Sequence, residues 1–196
     1  MGKGAETRER ILEQAVRLAS RDGLEGLTIG SLSSELGLSK SGLFAHFGSK
    51  DELQLQVLQA AVERFTGTVV RPALAEPPGE PRIRAFFERW LAWANDTSMP
   101  GGCIFVAASA ELDDRPGPAR DLLVRSHRER TAFLAKAVRI AMESGHFRAG
   151  MDPEQFAFDI DCIALGYHHA HRLLRDSRAV DRARAAFERL LASYKD

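Results

Sequence analysis

The chain has only two cysteines, Cys103 and Cys162, in 196 residues, which excludes a disulfide framework. It contains no run of 18 apolar residues and no apolar core of a secretion signal. A soluble, cytoplasmic chain with no membrane partner is therefore expected. No stretch alternates apolar and polar residues in the manner of a half-buried strand. Enzyme signatures are missing as well: there is no glycine-rich phosphate loop after a strand, no HExxH pair and no nucleophile elbow. Neither an enzyme nor a cofactor is expected. Lys and Arg number 27 and so do Asp and Glu, giving a formal net charge of zero. A bulk basic footprint for nucleic acid is thus absent, and non-specific affinity should be modest. A local site needs only a few basic groups and is not excluded.

What the chain does have is helical periodicity. In Thr7 to Arg21, Ile11, Ala15, Leu18 and Ala19 share one face, and Gly23 ends the helix. The most informative stretch follows, Thr28 to Leu53. Thr28 can N-cap a short helix with Ile29, Leu32 and Leu36 as its apolar positions. Gly37 stops it, because glycine reaches left-handed backbone angles without strain. Leu38 fills the turn. Ser39 caps a second helix with Leu43 and Phe47 inward, and Gly48 ends that one. Ser49 with Glu52 reads as the capping box of a third. Two short helices at a tight glycine turn make a helix-turn-helix, whose second helix enters the DNA major groove. The outer face of that helix carries Ser39, Lys40, Ser41, Gly42, Phe44, Ala45 and His46, and Ser39 to Lys50 contains no acid.

This stretch resembles the DNA-binding domain of TetR-family transcriptional regulators. The resemblance covers roughly Thr7 to Leu58. It rests on Gly37, on Ser39-Lys40-Ser41-Gly42, on Leu43-Phe44-Ala45-His46-Phe47 and on Ser49-Lys50-Asp51-Glu52-Leu53. One position departs. The family usually has Tyr where Phe44 stands, and Phe44 cannot donate a hydrogen bond to a phosphate; packing on a sugar or a thymine methyl is the alternative. The resemblance implies that Ser39, Lys40, Ser41 and Gly42 face bases or nearby phosphates, while Thr28, His46 and Lys50 hold the backbone. Phe44 belongs to the same surface. It further implies a double-stranded, palindromic operator, a homodimer, and a small-molecule effector acting on a C-terminal domain. Residues 1–50 are the expected DNA-binding domain and 51–196 the expected effector-binding and dimerisation domain.

The remainder reads as all-α, with about nine helices in total. Ser49 to about Val70 places Leu53, Val57, Leu58, Ala61 and Phe65 inward. Four prolines in Arg71 to Pro81 are expected to end it. Helices are further expected over Arg82 to Asp96, Cys103 to Leu112, Ala119 to Ser144, Pro153 to about Asp176, and Val180 to Tyr194. Candidate effector residues are Phe86, Trp90, Trp93, Phe105, His127, Tyr167 and His168, which would suit a hydrophobic or aromatic ligand. Aromatics at helical spacing are equally the material of an ordinary core. Candidate dimer-interface residues are Phe156, Ile163, Tyr167, Leu174, Ala183, Phe187, Leu190 and Leu191, which could also close one subunit's core.

Two alternatives stay open. Cys103 follows Gly101-Gly102 at a helix start and could sense oxidants, although a small buried residue is the plainer reading. His168 and His171 share a helix face, but a metal site is not expected because a nearby carboxylate or thiol at ligand spacing is lacking. A regulator that binds DNA constitutively, with no ligand, is a further possibility.

Overall fold

The computed structural model describes residues 3–195. α1 is Lys3–Gly26, α2 Ile29–Leu36 and α3 Lys40–Phe47. α4 starts with Lys50–Phe65 and runs through a π-helical turn, Thr66–Val70, into Arg71–Ala75. α5 is Glu80–Ala94, α6 Ile104–Leu112 and α7 Pro118–Glu143. α8 is Pro153–His168, prolonged by a second π-helical turn, His169–Leu173, and α9 is Ala179–Ser193. With each continuous rod counted once, the described residues form nine helices and no strand, as the periodicity predicts.

The end of α4 differs from expectation. The helix passes through Pro72 and stops only where Glu76 turns extended. The π-helical turn explains the tolerance. Arg71 N–H donates five residues back to Thr66, and this wider turn accommodates a proline ring that would clash in a regular α-helix. In α1 the backbone leaves helical angles at Gly23, the position where the sequence ends it.

Contacts divide the chain into two compact units. One comprises residues up to Arg64 together with Asn95–Arg125; the other comprises Phe65–Ala94 with residues from Ser126 onward. In the first, Ile11, Ala15, Leu18 and Ala19 of α1 are buried, as are Leu32, Leu43, Phe47, Leu53, Val57 and Leu58, all 3% exposed or less, and α1 packs on α2 and α2 on α3. α6 packs on α1 in the same unit. Gly101 lies so close to the Ser20 carbonyl that a Cβ would overlap it, so the loop before α6 is pressed directly onto α1. In the second unit, α8 packs on α9. Phe87 stacks on Phe187 at 3.9 Å, and Tyr194 meets Phe147 and Phe156 while its hydroxyl donates to the Asp152 carbonyl.

Candidate nucleic-acid interface

Local chemistry builds the helix-turn-helix. Thr28 Oγ1 accepts the Ser31 N–H at 3.0 Å, and Ser31 Oγ accepts the Thr28 N–H at 2.9 Å, a reciprocal cap that fixes the start of α2. Gly37 takes left-handed angles, φ 64° and ψ 25°, and its N–H donates to the Ser33 carbonyl. Ser33 Oγ then donates to the Leu38 carbonyl at 2.6 Å. Leu38 does not fill the turn with its side chain, as expected, but is 40% exposed. Ser39 Oγ accepts the Gly42 N–H at 3.1 Å and starts α3. The Ser49 box forms by half. Ser49 Oγ accepts the Glu52 N–H, but the Ser49 N–H donates to the Phe47 carbonyl, and Glu52 accepts from Gln56 instead.

Leu43 and Phe47, 0% and 2% exposed, anchor α3 to the core. That orients the opposite face outward. Ser39, Lys40, Ser41, Gly42, Phe44, Ala45 and His46 are all exposed on it, and Phe44 is 57% exposed. Thr28 is exposed at the head of α2. Lys50 is half-buried; its Nζ donates to the Glu25 carboxylate and to the Glu25 carbonyl, both at 3.0 Å. Arg8 is tied to Gln56 at 2.7 Å.

The sequence reading missed the groups that brace this surface. The Glu111 carboxylate of α6 accepts the backbone N–H groups of Leu24 at 3.2 Å and Glu25 at 2.8 Å. Gln54 donates to the Leu24 carbonyl, and Arg115 pairs with Glu25. Glu111 is 86 and 87 residues from its partners, so no local pattern announces it. A groove of about 840 Å³ also opens in this unit, lined by Leu12, Val16, Arg17, Ala60, Glu63 and Ser98 among others. None of the effector candidates lines it.

Those candidates fall in both units. Phe105 is buried in the unit that carries the helix-turn-helix. The other six lie in the second unit. Phe86, Trp90, Trp93 and Tyr167 are 6% exposed or less. Trp90 meets Tyr167 edge-on at 5.5 Å, and Phe86 meets Phe133 at 5.4 Å. His127 Nδ1 lies 2.9 Å from Arg130, which also donates to Asp161 at 2.8 Å. Burial, and secondarily the Arg130 charge, pulls His127 down from 6.5 to about 4. Burial also lowers His168, assisted by Arg172, His171 and His169. His171 stacks on Tyr167 at 5.3 Å, and no group of three potential metal ligands gathers among the described residues.

Of the dimer candidates, Phe156, Tyr167, Ala183, Phe187 and Leu191 are buried within the subunit. Ile163 and Leu190 are half-buried, and Leu174 is 62% exposed. The exposed apolar residues of α8 and its extension are Phe158, Leu165, Leu173 and Leu174. Cys103 is buried at the start of α6, and Cys162 is exposed.

Two short capped helices at a glycine turn, the second presenting an exposed polar face, place the protein in the helix-turn-helix class of transcription regulators, which are not enzymes. A family model for bacterial regulatory proteins of the tetR family matches residues 11–57, and one for a tetracyclin repressor-like C-terminal domain matches 79–187. The chain belongs to the TetR family. The HTH-type transcriptional regulator TcmR of Streptomyces glaucescens is 28% identical over 138 residues, 67% of this chain and 58% of that protein. The HTH-type transcriptional repressor AcnR of Corynebacterium efficiens is 35% identical over 74 residues, 38% of this chain and 39% of that protein. In neither case does the match span two thirds of the relative. A TetR regulator from Chloroflexus aurantiacus superposes with a TM-score of 0.86 at 26% identity, covering 98% of this chain and 96% of that one. AibR, solved with isovaleryl coenzyme A and operator DNA, shares the fold with a TM-score of 0.68 at 23% identity, covering 82% and 85%. No helix among the described residues is long and apolar enough to cross a membrane.

Proposed function

We propose that the chain is a homodimeric repressor that binds a palindromic operator through α3 and releases it when a small hydrophobic or aromatic effector binds the second unit. The observation that carries the DNA-binding part is the division of α3. Leu43 and Phe47 lock one face into the core, while every residue of the other face is exposed, including Phe44. Ser39, Lys40, Ser41 and Gly42 then face base edges or adjacent phosphates, and Thr28, His46 and Lys50 hold the backbone. Phe44 supplies an apolar surface for a sugar or a thymine methyl.

One recognition helix reads too few base pairs for specificity, which is the physical reason for pairing two subunits on two half-sites. The functional boundary lies near residue 50, with effector binding and dimerisation beyond it. An effector that prefers a head spacing unlike that of the half-sites by about 3 kcal/mol would weaken operator binding roughly 150-fold.

The test is a titration of the purified protein on the DNA upstream of its own gene, at two salt concentrations. Saturable binding with two subunits per site is the expected result. Weak binding, indifferent to sequence, would overturn the operator reading. A constitutive binder with no ligand is the second reading, favoured by the close packing of Phe86, Trp90, Trp93 and Tyr167.

A further inference from the structure

We propose that Arg115, in the turn after α6, is a positioning residue for DNA binding: it occupies one oxygen of the Glu25 carboxylate, so that Lys50 passes more readily to a DNA phosphate. The inference rests on the reading of Lys50 as a backbone contact and adds to it a residue from outside the helix-turn-helix.

The geometry at Glu25 carries it. Glu25 Oε2 accepts from Lys50 Nζ at 3.0 Å, and Glu25 Oε1 lies 2.7 Å from Arg115 Nη1. The Glu25 carbonyl takes a second bond from Lys50 Nζ. One carboxylate therefore bridges two cations, one on each oxygen. Hydrogen bonding to Lys50, together with the Lys50 and Arg115 charges, outweighs desolvation and holds the Glu25 carboxyl below the usual carboxylate range, so it is ionised at neutral pH.

The fold brings Arg115 there. Glu111, in the last turn of α6, accepts the Leu24 and Glu25 N–H groups at 3.2 and 2.8 Å, which fastens the end of α6 to the end of α1. The chain then turns, with the Arg115 N–H donating to the Leu112 carbonyl at 3.2 Å. Arg120 Nε braces that turn on the Asp113 carbonyl at 3.1 Å. Glu111, the other carboxylate at this corner, spends its hydrogen bonds on the two amides rather than on either cation. All of these residues belong to the unit that carries the helix-turn-helix.

Competition gives the effect its direction. Glu25 and a phosphate draw on the same Lys50 ammonium, which must loosen from Glu25 to reach the DNA. A carboxylate already paired with a guanidinium attracts a second cation less, and the two cations repel each other. Arg115 therefore lowers the cost of handing Lys50 to the DNA. The side chains of Lys50, Glu25 and Arg115 are 40%, 47% and 58% exposed, so water and salt screen each step and the effect is a small factor. A phosphate carries no base identity, so the factor applies to every sequence.

The test is a cycle of anisotropy titrations of the full chain on operator and scrambled DNA at low salt. The variants are Arg115→Gln, Glu25→Gln, Lys50→Ala, and each of the last two combined with Arg115→Gln. Arg115→Gln is expected to weaken binding to both DNAs by about two- to fivefold, the scale of one exposed ion pair. Arg115→Lys, which keeps the cation, should restore most of that loss. In the Glu25→Gln and Lys50→Ala backgrounds the loss should vanish, because the competition it acts on is gone. A loss of equal size in all three backgrounds would overturn the proposal in favour of a direct phosphate contact or a merely structural role. No loss from Arg115→Gln beside a clear loss from Lys50→Ala would sink the proposal alone. No loss from Lys50→Ala would sink the Lys50 reading and the proposal with it.

Discussion

Lys50 Nζ sits 3.0 Å from the Glu25 carboxylate and 3.0 Å from the Glu25 backbone carbonyl, so the cation at the head of α4 is held by the end of α1. Both side chains keep part of their surface in solvent, 40% and 47%, and a pair of this kind is worth no more than about 1 kcal/mol. It positions Lys50 without preventing a phosphate from recruiting it. Lys50→Ala should weaken binding to all DNA sequences by a similar factor and reduce the salt slope by about one. Substitutions at Ser41 should instead shift sequence preference. Anisotropy titrations on operator and scrambled DNA separate the two, and equal losses on every sequence for both variants would refute the division. Glu25→Gln should raise affinity at low salt, because it removes a carboxylate that competes with phosphate.

Gly23 has φ 78° and ψ 168°, a region close to glycine-only, and the Glu111 carboxylate occupies the place of a Cβ. Gly23→Ala should cost about 1–3 kcal/mol of stability from backbone strain, plus the displacement of Glu111. Denaturant melts of the single variants and of Gly23→Ala/Glu111→Ala check this. The double variant should lose less than the sum of the two, because deleting the carboxylate removes the clash. Strict additivity would show that Glu111 is not what the alanine strikes.

His127 gives the fold a pH dependence of definite sign. Its folded value, about 4, lies below its ordinary 6.5. The folded state therefore binds this proton less readily than the unfolded chain does. The contribution is whole above pH 6.5 and is lost as pH falls from there through about 4, by at most ~3 kcal/mol. His127→Gln should flatten the stability profile across that window, measured by urea melts at half-unit intervals. An unchanged profile would assign the acid sensitivity to other groups, His168 first, since burial lowers it in the same direction.

On α8, Phe158 and Leu165 stand seven residues apart, 61% and 55% exposed, and Leu173 and Leu174 continue an apolar surface with 70% and 62%. Contiguous apolar exposure of this kind marks a partner surface. Leu165→Glu should convert the proposed dimer into a folded monomer, read by sedimentation of the variant beside the unaltered chain. Phe187→Glu should behave differently and unfold the subunit, because Phe187 is 2% exposed and stacked on Phe87. A dimer that survives Leu165→Glu would move the interface off this face.

The amino-acid sequence by itself determined the helices and the turn. Thr28, Gly37, Ser39 and Gly48 act on groups within five residues of themselves, so their chemistry is legible without a fold. The inward positions of α1, α3 and α4 are legible for a similar reason, since helical periodicity relates neighbours three and four residues apart. Ser31 completing the Thr28 cap was local too, but the familiar signature has Glu or Gln in that place. The tertiary structure alone decided what depends on distant partners. It brought Glu111 to the Leu24 and Glu25 amides, tied Lys50 to Glu25, and joined Arg130 to Asp161. It also decided which face of α8 stays uncovered: periodicity reveals Phe156 and Tyr167, or Phe158 and Leu165, as apolar sets, but only packing against α9 and the other helices determines which set is buried.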